Sequence, residues 1–346
     1  IAALAQVKDL ENLKLYDMDE VNDFTVLNVL KKLRSLSIDA ENLKDISFIN
    51  HMPELASLGI TDSKILLLDP LVGKESLKEL VLVDNGEVRD YNPVGTLTGL
   101  ETLVINKYTS QEDPDLTALT GLKHGEFHGM MGIRFLGSLT GLEELKVQGC
   151  NVDQPSVIAS LPALKKLTYR KNWGNSDDLS FLAGCQGLTC LDMNHSEFYG
   201  DVSYAFNLPA LETLILDSSS FEVKFDRLQD NPALKALSLN HVKLYKNIEM
   251  WSDGMVRSIN YDDVLLDEYT SFLGHYPSLE YLSLRGNQLT DLQFAVGLKN
   301  LRELDVTDNY VTDTHVLDQL EYLGKDSTVK RPMADVDWID TVEDSH

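Results

Sequence analysis

Apolar residues recur in this chain at offsets 0, 3, 5 and 10 of a unit about 22 residues long, with asparagine favoured at offset 8. Leu279, Leu282, Leu284, Asn287 and Leu289 return as Leu301, Leu304, Val306, Asn309 and Val311. Sliding the pattern along the chain gives fourteen starts: Leu10, Leu33, Leu55, Leu77, Leu100, Leu122, Leu142, Leu164, Leu188, Leu211, Leu234, Val256, Leu279 and Leu301. Successive starts are 20 to 24 residues apart, and the surrounding text repeats as well: "LTGLETL", "LTGLEEL", "LPALKKL", "LPALETL", "LKNLREL". A unit this short cannot bury its own apolar face. Stacked against copies of itself, it builds a continuous core.

The spacing predicts what each unit contains. Offsets 3 and 5 share one face of an extended strand, and offsets 2, 4 and 6 share the other. The offset-8 asparagine is expected to hydrogen-bond backbone groups where the chain turns out of the strand, since buried amides need partners. Asn85, Asn172, Asn287 and Asn309 fill that position, Cys150 fills it in the seventh unit, and Ser63, Ser196 and Ser219 are poorer substitutes. Cys150 is therefore expected to be structural rather than reactive. Return stretches such as "KDISFINHMPEL", "DDLSFLAGCQGL" and "DLQFAVGLKNL" read as short helical or 3-10 segments. Because the return side is bulkier than the strand side, the stack is expected to curve, with a concave ribbon of strands ~65 Å long at ~4.8 Å per strand.

Some units depart from the pattern. The sixth has Gly125 where a leucine belongs, and the eighth carries Tyr169 at a core position followed by the longer "RKNWGNSDD". The twelfth uses Val256, Ile259 and Tyr261. At the N-terminus, "IAALAQVKDLENLKL" reads as the return half of an earlier unit, so the natural chain is expected to extend upstream with its N-terminal cap missing here. The array is expected over residues 1–323, about 14 repeats. Residues 324–346, with Pro332 and Trp338, are expected to form a C-terminal cap and acidic tail.

The pattern L-x-x-L-x-L-x-x-N/C-x-L resembles the leucine-rich repeat signature. The 22-residue length and phrases such as "NQLTDLQFAVGLKNLREL" are similar to bacterial internalin-type surface repeats. The resemblance implies an α/β leucine-rich repeat solenoid: a right-handed curved coil, with a parallel sheet on the concave face and short helical or 3-10 segments on the convex face. It also implies export by a bacterium and work at or beyond the cell surface.

Composition narrows the partners. Thirty Lys and Arg against 55 Asp and Glu give a formal charge of −25. That excess repels phosphate backbones and anionic lipid, so nucleic-acid and membrane-surface binding are not expected. No apolar run approaches the ~18 residues of a membrane span. Cys150, Cys185 and Cys190 form no CxxC pair and no zinc spacing, so they do not fix a redox compartment.

The strand offsets that face away from the core are the ones free to carry chemistry. Unit six presents His124, Glu126 and His128, unit seven Glu144, Lys146 and Gln148, unit eight Lys166, Thr168 and Arg170, and unit nine Cys190, Asp192 and Asn194. The two histidines stand ~13 Å apart along an extended strand, too far to share one zinc ion, so no metal is expected. No nucleophile elbow, phosphate loop or calcium loop is present, and no acid/base pair stands out. No enzyme activity and no cofactor are expected. Of five basic residues at these offsets, Lys146, Lys166 and Arg170 cluster in units seven and eight, joined by Lys171 and Trp173. Arg and Trp are enriched at interface hot spots. The expected ligand-binding set is thus His124, Glu126, His128, Glu144, Lys146, Lys166, Arg170, Trp173, Asp192 and Asn194. The function expected is that of a monomeric, secreted or surface-exposed bacterial module that binds a protein ligand by its concave face. The alternatives are a cytoplasmic leucine-rich repeat scaffold or regulatory subunit of an enzyme, and a repeat region attached to an upstream catalytic domain.

Overall fold

The computed structural model describes residues 1–107, 112–245, 247–250, 256–260 and 265–323. They fall into two compact units, Ile1–Gly187 and Leu188–His346. The expected cap and tail over 324–346 lie outside the described residues, as do Tyr261 and Asp262 of the expected twelfth strand.

The first unit carries strands β1 (Asn12–Leu15), β2 (Ser35–Asp39), β3 (Ser57–Thr61), β4 (Glu79–Val83), β5 (Thr102–Asn106), β6 (His124–His128), β7 (Glu144–Gln148), β8 (Asn151–Val152), β9 (Lys166–Arg170) and β10 (Trp173–Gly174). All but β8 and β10 form one parallel ladder in chain order, with like offsets side by side: Leu36, Leu58 and Leu80 pair in turn, as do Leu145 and Leu167. The offset-3 and offset-5 side chains are buried, among them Leu36, Ile38, Leu58, Ile60, Leu80, Leu82, Leu145 and Val147. β8 and β10 form a short second pairing beyond the turn.

The second unit repeats the plan with β11 (Cys190–Asp192), β12 (Glu197–Asp201), β13 (Thr213–Ile215), β14 (Ser220–Glu222), β15 (Ala236–Ser238), β16 (Lys243–Leu244), β17 (Asn247–Met250), β18 (Val256–Asn260), β19 (Tyr281–Ser283) and β20 (Glu303–Asp305). β11, β13, β15, β19 and β20 run in parallel, while β12, β14 and β16 form a second parallel ladder after the turn. Leu214 and Leu282 are buried.

Most strands of the main ladder leave through the same turn. The residue at offset 7 adopts a left-handed backbone at Asp17, Asp62, Asp84, Gly129, Gly149, Lys171, His195, Ser218, His241, Gly286 and Asp308. Gly and Asp dominate these sites because they tolerate positive φ best. The next residue, at offset 8, donates back to the offset-5 carbonyl of the preceding coil. Asn85 Nδ2 reaches Ile60 O at 2.8 Å, Asn172 Nδ2 reaches Val147 O at 3.1 Å and Asn309 Nδ2 reaches Leu284 O at 2.9 Å. Cys150 Sγ does the same to Phe127 O at 3.3 Å, and Ser219 Oγ to Met193 O at 3.0 Å. The ladder therefore needs a side-chain donor, and amide, thiol and hydroxyl each supply one. Burial pushes the Cys150 thiol up to about 11, which leaves it protonated and inert at neutral pH.

Most returns are 3-10 turns, including Ser47–His51, Leu179–Gly184 and Gln293–Gly297, and two, Ser156–Ala159 and Ser203–Phe206, are single α-helical turns; the sequence places short helical segments in these stretches. Ahead of many sits an aspartate whose carboxylate accepts the backbone N–H two residues on. Asp23, Asp45, Asp90, Asp115, Asp178, Asp201, Asp291 and Asp313 all do so, at 2.8 to 3.2 Å. Part of the acidic excess is thus structural, satisfying donors that a 3-10 turn leaves open.

Two irregular units are explained by packing. A Cβ on Gly125 would lie 2.7 Å from Phe127 Cε2 and 3.2 Å from Leu142 Cδ1. The Phe127 ring fills the space a leucine at 125 would take, and it packs edge-on against Phe135 at 5.0 Å. In unit eight, the Tyr169 hydroxyl donates to Ser176 O at 3.1 Å, inside the longer loop. The extra loop length gives the buried hydroxyl its acceptor.

The twelfth unit corrects the sequence reading. Val256–Asn260 does not join the parallel ladder. It pairs antiparallel with β17, Ile259 opposite Ile248, while β15 pairs directly with β19, Ala236 beside Tyr281. The ladder closes over this insertion: Asn287 Nδ2 donates to Leu239 O at 2.6 Å, 48 residues away, and Oδ1 accepts from Val242 N.

Candidate ligand-binding face

Because leucines occupy one face of every strand, the other face is free to vary. In the first unit, parallel register sets its residues in rows: Thr102, His124, Glu144 and Lys166; Val104, Glu126, Lys146 and Thr168; Asn106, His128, Gln148 and Arg170. Neighbours in a row stand one strand spacing apart, ~4.8 Å, so opposite charges meet.

Two linked groups result. Glu144 accepts from Lys166 Nζ at 2.6 Å and faces His124 Nδ1 at 3.3 Å. Glu126 Oε1 lies 2.6 Å from His128 Nε2 and 2.9 Å from Lys146 Nζ. Although they stand on the outward face, the side chains of Glu126 and Lys146 are only 13% and 12% exposed. Burial pushes the Glu126 carboxyl up. The hydrogen bond from His128 and the charge and hydrogen bond of Lys146 outweigh it, so Glu126 sits below the usual carboxylate value. A lysine ammonium already balances this carboxylate, and nothing leaves it poised to exchange a proton near neutral pH.

The structure brings together His124, Glu126, His128, Glu144, Lys146, Lys166 and Arg170 on adjacent strands β6, β7 and β9. Trp173 is separate. It follows the left-handed turn at Lys171, lies in β10 paired to β8, and is 48% exposed; it stands past the edge of the strand face, not on it. Asp192 and Asn194 belong to the second unit, where Asp192 Oδ1 accepts from Asn194 N at 3.0 Å.

Two features lie outside the expected ligand-binding set. Thr168 sits among the charged residues, only 1% exposed, and its Oγ1 has no hydrogen-bond partner. Asp17, Asp62 and Asp84 fall at offset 7, in the left-handed turn just past β1, β3 and β4. The sequence signal for them is the recurrent Asp just before the ladder position. Among the described residues, no group of three or more His, Cys, Asp and Glu could hold a metal ion, and no helix is long and apolar enough to cross a membrane.

Comparison with known proteins agrees with this architecture. The family model for leucine-rich repeats in two copies matches residues 277–319. No curated protein matches the sequence. Among solved structures, an internalin of Listeria monocytogenes is similar with a TM-score of 0.64 and 22% identity, over 87% of this chain and 82% of that one. A leucine-rich repeat protein of Leptospira interrogans gives 0.67 and 19% identity, over 92% and 78%. The functional domain of InlJ from Listeria monocytogenes, which includes a cysteine ladder, gives 0.52 and 16% identity, over 87% and 64%. With its 22-residue coils, offset-8 ladder and parallel strands, the chain has a leucine-rich repeat fold that resembles that of the internalins.

Proposed function

We propose that the chain is a non-enzymatic protein-binding module that engages a protein ligand through the outward face of its strands, in a bacterial protein that is secreted or surface-exposed. The observation that carries this reading is the pair of ion networks on β6, β7 and β9. Folding needs the inward apolar residues of these strands, but it does not need charges opposite them. Paired, partly sheltered charges on a rigid ladder are pre-organised for an interface, which favours specificity. The non-enzymatic part is supported by carboxylates already neutralised by lysines and by thiols at Cys150 and Cys185 that burial pushes up to about 11. The resemblance to internalin repeats supports the surface location.

The test is hydrogen exchange of the chain alone and with a captured protein partner. Slowed exchange over 124–128, 144–148 and 166–170 is expected. Protection confined to return segments such as 134–138 and 179–184 would contradict the reading.

A further inference from the structure

Within the first unit, the outward face is charge-polarised. Strands β1 to β4 and their turn residues carry Asp17, Asp39, Asp62, Glu79 and Asp84 against Lys14, a formal balance of 1 − 5 = −4. Strands β7 and β9 with Lys171 carry Lys146, Lys166, Arg170 and Lys171 against Glu144 and the Glu126 of β6 that pairs with Lys146, a balance of 4 − 2 = +2. The basic end is unexpected in a chain of net charge −25. At physiological salt only charges within about 8 Å act strongly on a bound group, so the local excess governs what settles there. At the basic end lies the second, independent sign of a ligand: the sheltered Thr168 hydroxyl, which has no partner beside Lys146. Buried hydroxyls are normally hydrogen-bonded, and a carboxylate brought in beside Lys146 would give Thr168 an acceptor.

Resting on the binding role proposed above, we infer that the partner presents an extended segment with its own charge polarity, Lys or Arg over β1 to β4 and Asp or Glu over β7 and β9. The centres of the two patches are five strand positions apart, ~24 Å at ~4.8 Å per strand. An extended peptide crossing the strands spans that in about 7 residues. One segment therefore reaches both ends without folding.

The test compares two end-blocked fluorescent peptides of identical composition and zero net charge. One has a run of lysines, a Gly-Ser-Gly spacer and an equal run of glutamates; the other alternates lysine and glutamate around the same spacer. Anisotropy titration near physiological salt is expected to show the block peptide binding about tenfold tighter or more. That preference is expected to vanish in Lys166→Glu/Arg170→Glu and to shrink in Asp62→Asn/Asp84→Asn, where asparagine keeps the tolerance for positive φ. Thr168→Val is expected to weaken block-peptide binding without altering the alternating control. Equal affinity for the two peptides, or no binding of either, overturns the inference. A partner footprint that falls on 124–128, 144–148 and 166–170 while the peptides fail to discriminate would overturn this inference alone and leave the binding role standing.

Discussion

The side-chain amide of Asn287 donates to the carbonyl of Leu239 at 2.6 Å across 48 residues of sequence, where its counterpart Asn309 reaches only 25 residues back. The same bond made over about twice the separation shows that a coil's worth of chain is left out of the ladder and that the ladder closes without it. Asn287 Oδ1 also accepts from Val242 N, so this one side chain ties both edges of the seam. Asn287→Ala is expected to destabilise the chain by about 1–3 kcal/mol, the cost of leaving buried groups unpaired. Denaturant unfolding of the variant and the parent chain checks it.

Gly125 and Phe127 act as one packing unit. Gly125→Leu alone is expected to overpack the coil and cost about 1–3 kcal/mol. Adding Phe127→Leu restores the ordinary pattern and is expected to recover most of the loss. A double-mutant cycle should show favourable coupling between the two changes.

Cys150 serves the ladder as a donor. Cys150→Ala is expected to cost about 1–3 kcal/mol, and Cys150→Asn, which supplies the usual donor, to cost less. With their pKa values raised to about 11, Cys150 and Cys185 are expected to resist iodoacetamide in the native chain at neutral pH and to react after denaturation.

The turn aspartates predict an acid limb. Hydrogen bonds from Thr25 and Thr117 hold the carboxyls of Asp23 and Asp115 below the usual carboxylate range. A carboxyl depressed on folding contributes stability above its unfolded pKa and loses it as pH falls through the folded value. Thermal stability is therefore expected to drop as pH goes below about 4, and less steeply in Asp23→Asn/Asp115→Asn. Asp39 and Asp84 act in the opposite sense. Burial and neighbouring carboxylates such as Asp62 raise them, so their contribution falls as pH rises through the folded value. Asp39→Asn/Asp84→Asn is expected to raise the melting temperature at neutral pH.

The contrast between legible and hidden features has a physical basis. Leu145, Leu214, Leu282 and the Asn85, Asn172 and Asn309 ladder are legible because burial and hydrogen bonding act on side chains at a fixed period. The role of Cys150 follows from the same register. Val256 and Ile259 carry the right apolar spacing, yet they pair antiparallel with β17. Strand pairing is made by backbone groups, which leave no mark on side-chain spacing. The displacement of Trp173 follows from the left-handed Lys171, since a single turn residue redirects what comes after it. The aspartate ahead of many returns is legible in "DFTVL", "DISFI", "DLQFA" and "DTHVL", but composition alone does not tell such a carboxylate from one that only carries charge.

The most direct test of the two-faced coil sets one strand against its neighbour. Leu145 faces the core of β7, and Lys166 faces outward from β9 beside Glu144. Leu145→Ala is predicted to cost about 2–5 kcal/mol in denaturant unfolding. Lys166→Ala is predicted to cost about 0–1 kcal/mol while weakening capture of the protein partner by the folded chain. If Lys166→Ala unfolds the chain as readily as Leu145→Ala, or leaves partner capture unchanged, the division between a leucine core and a binding face is contradicted.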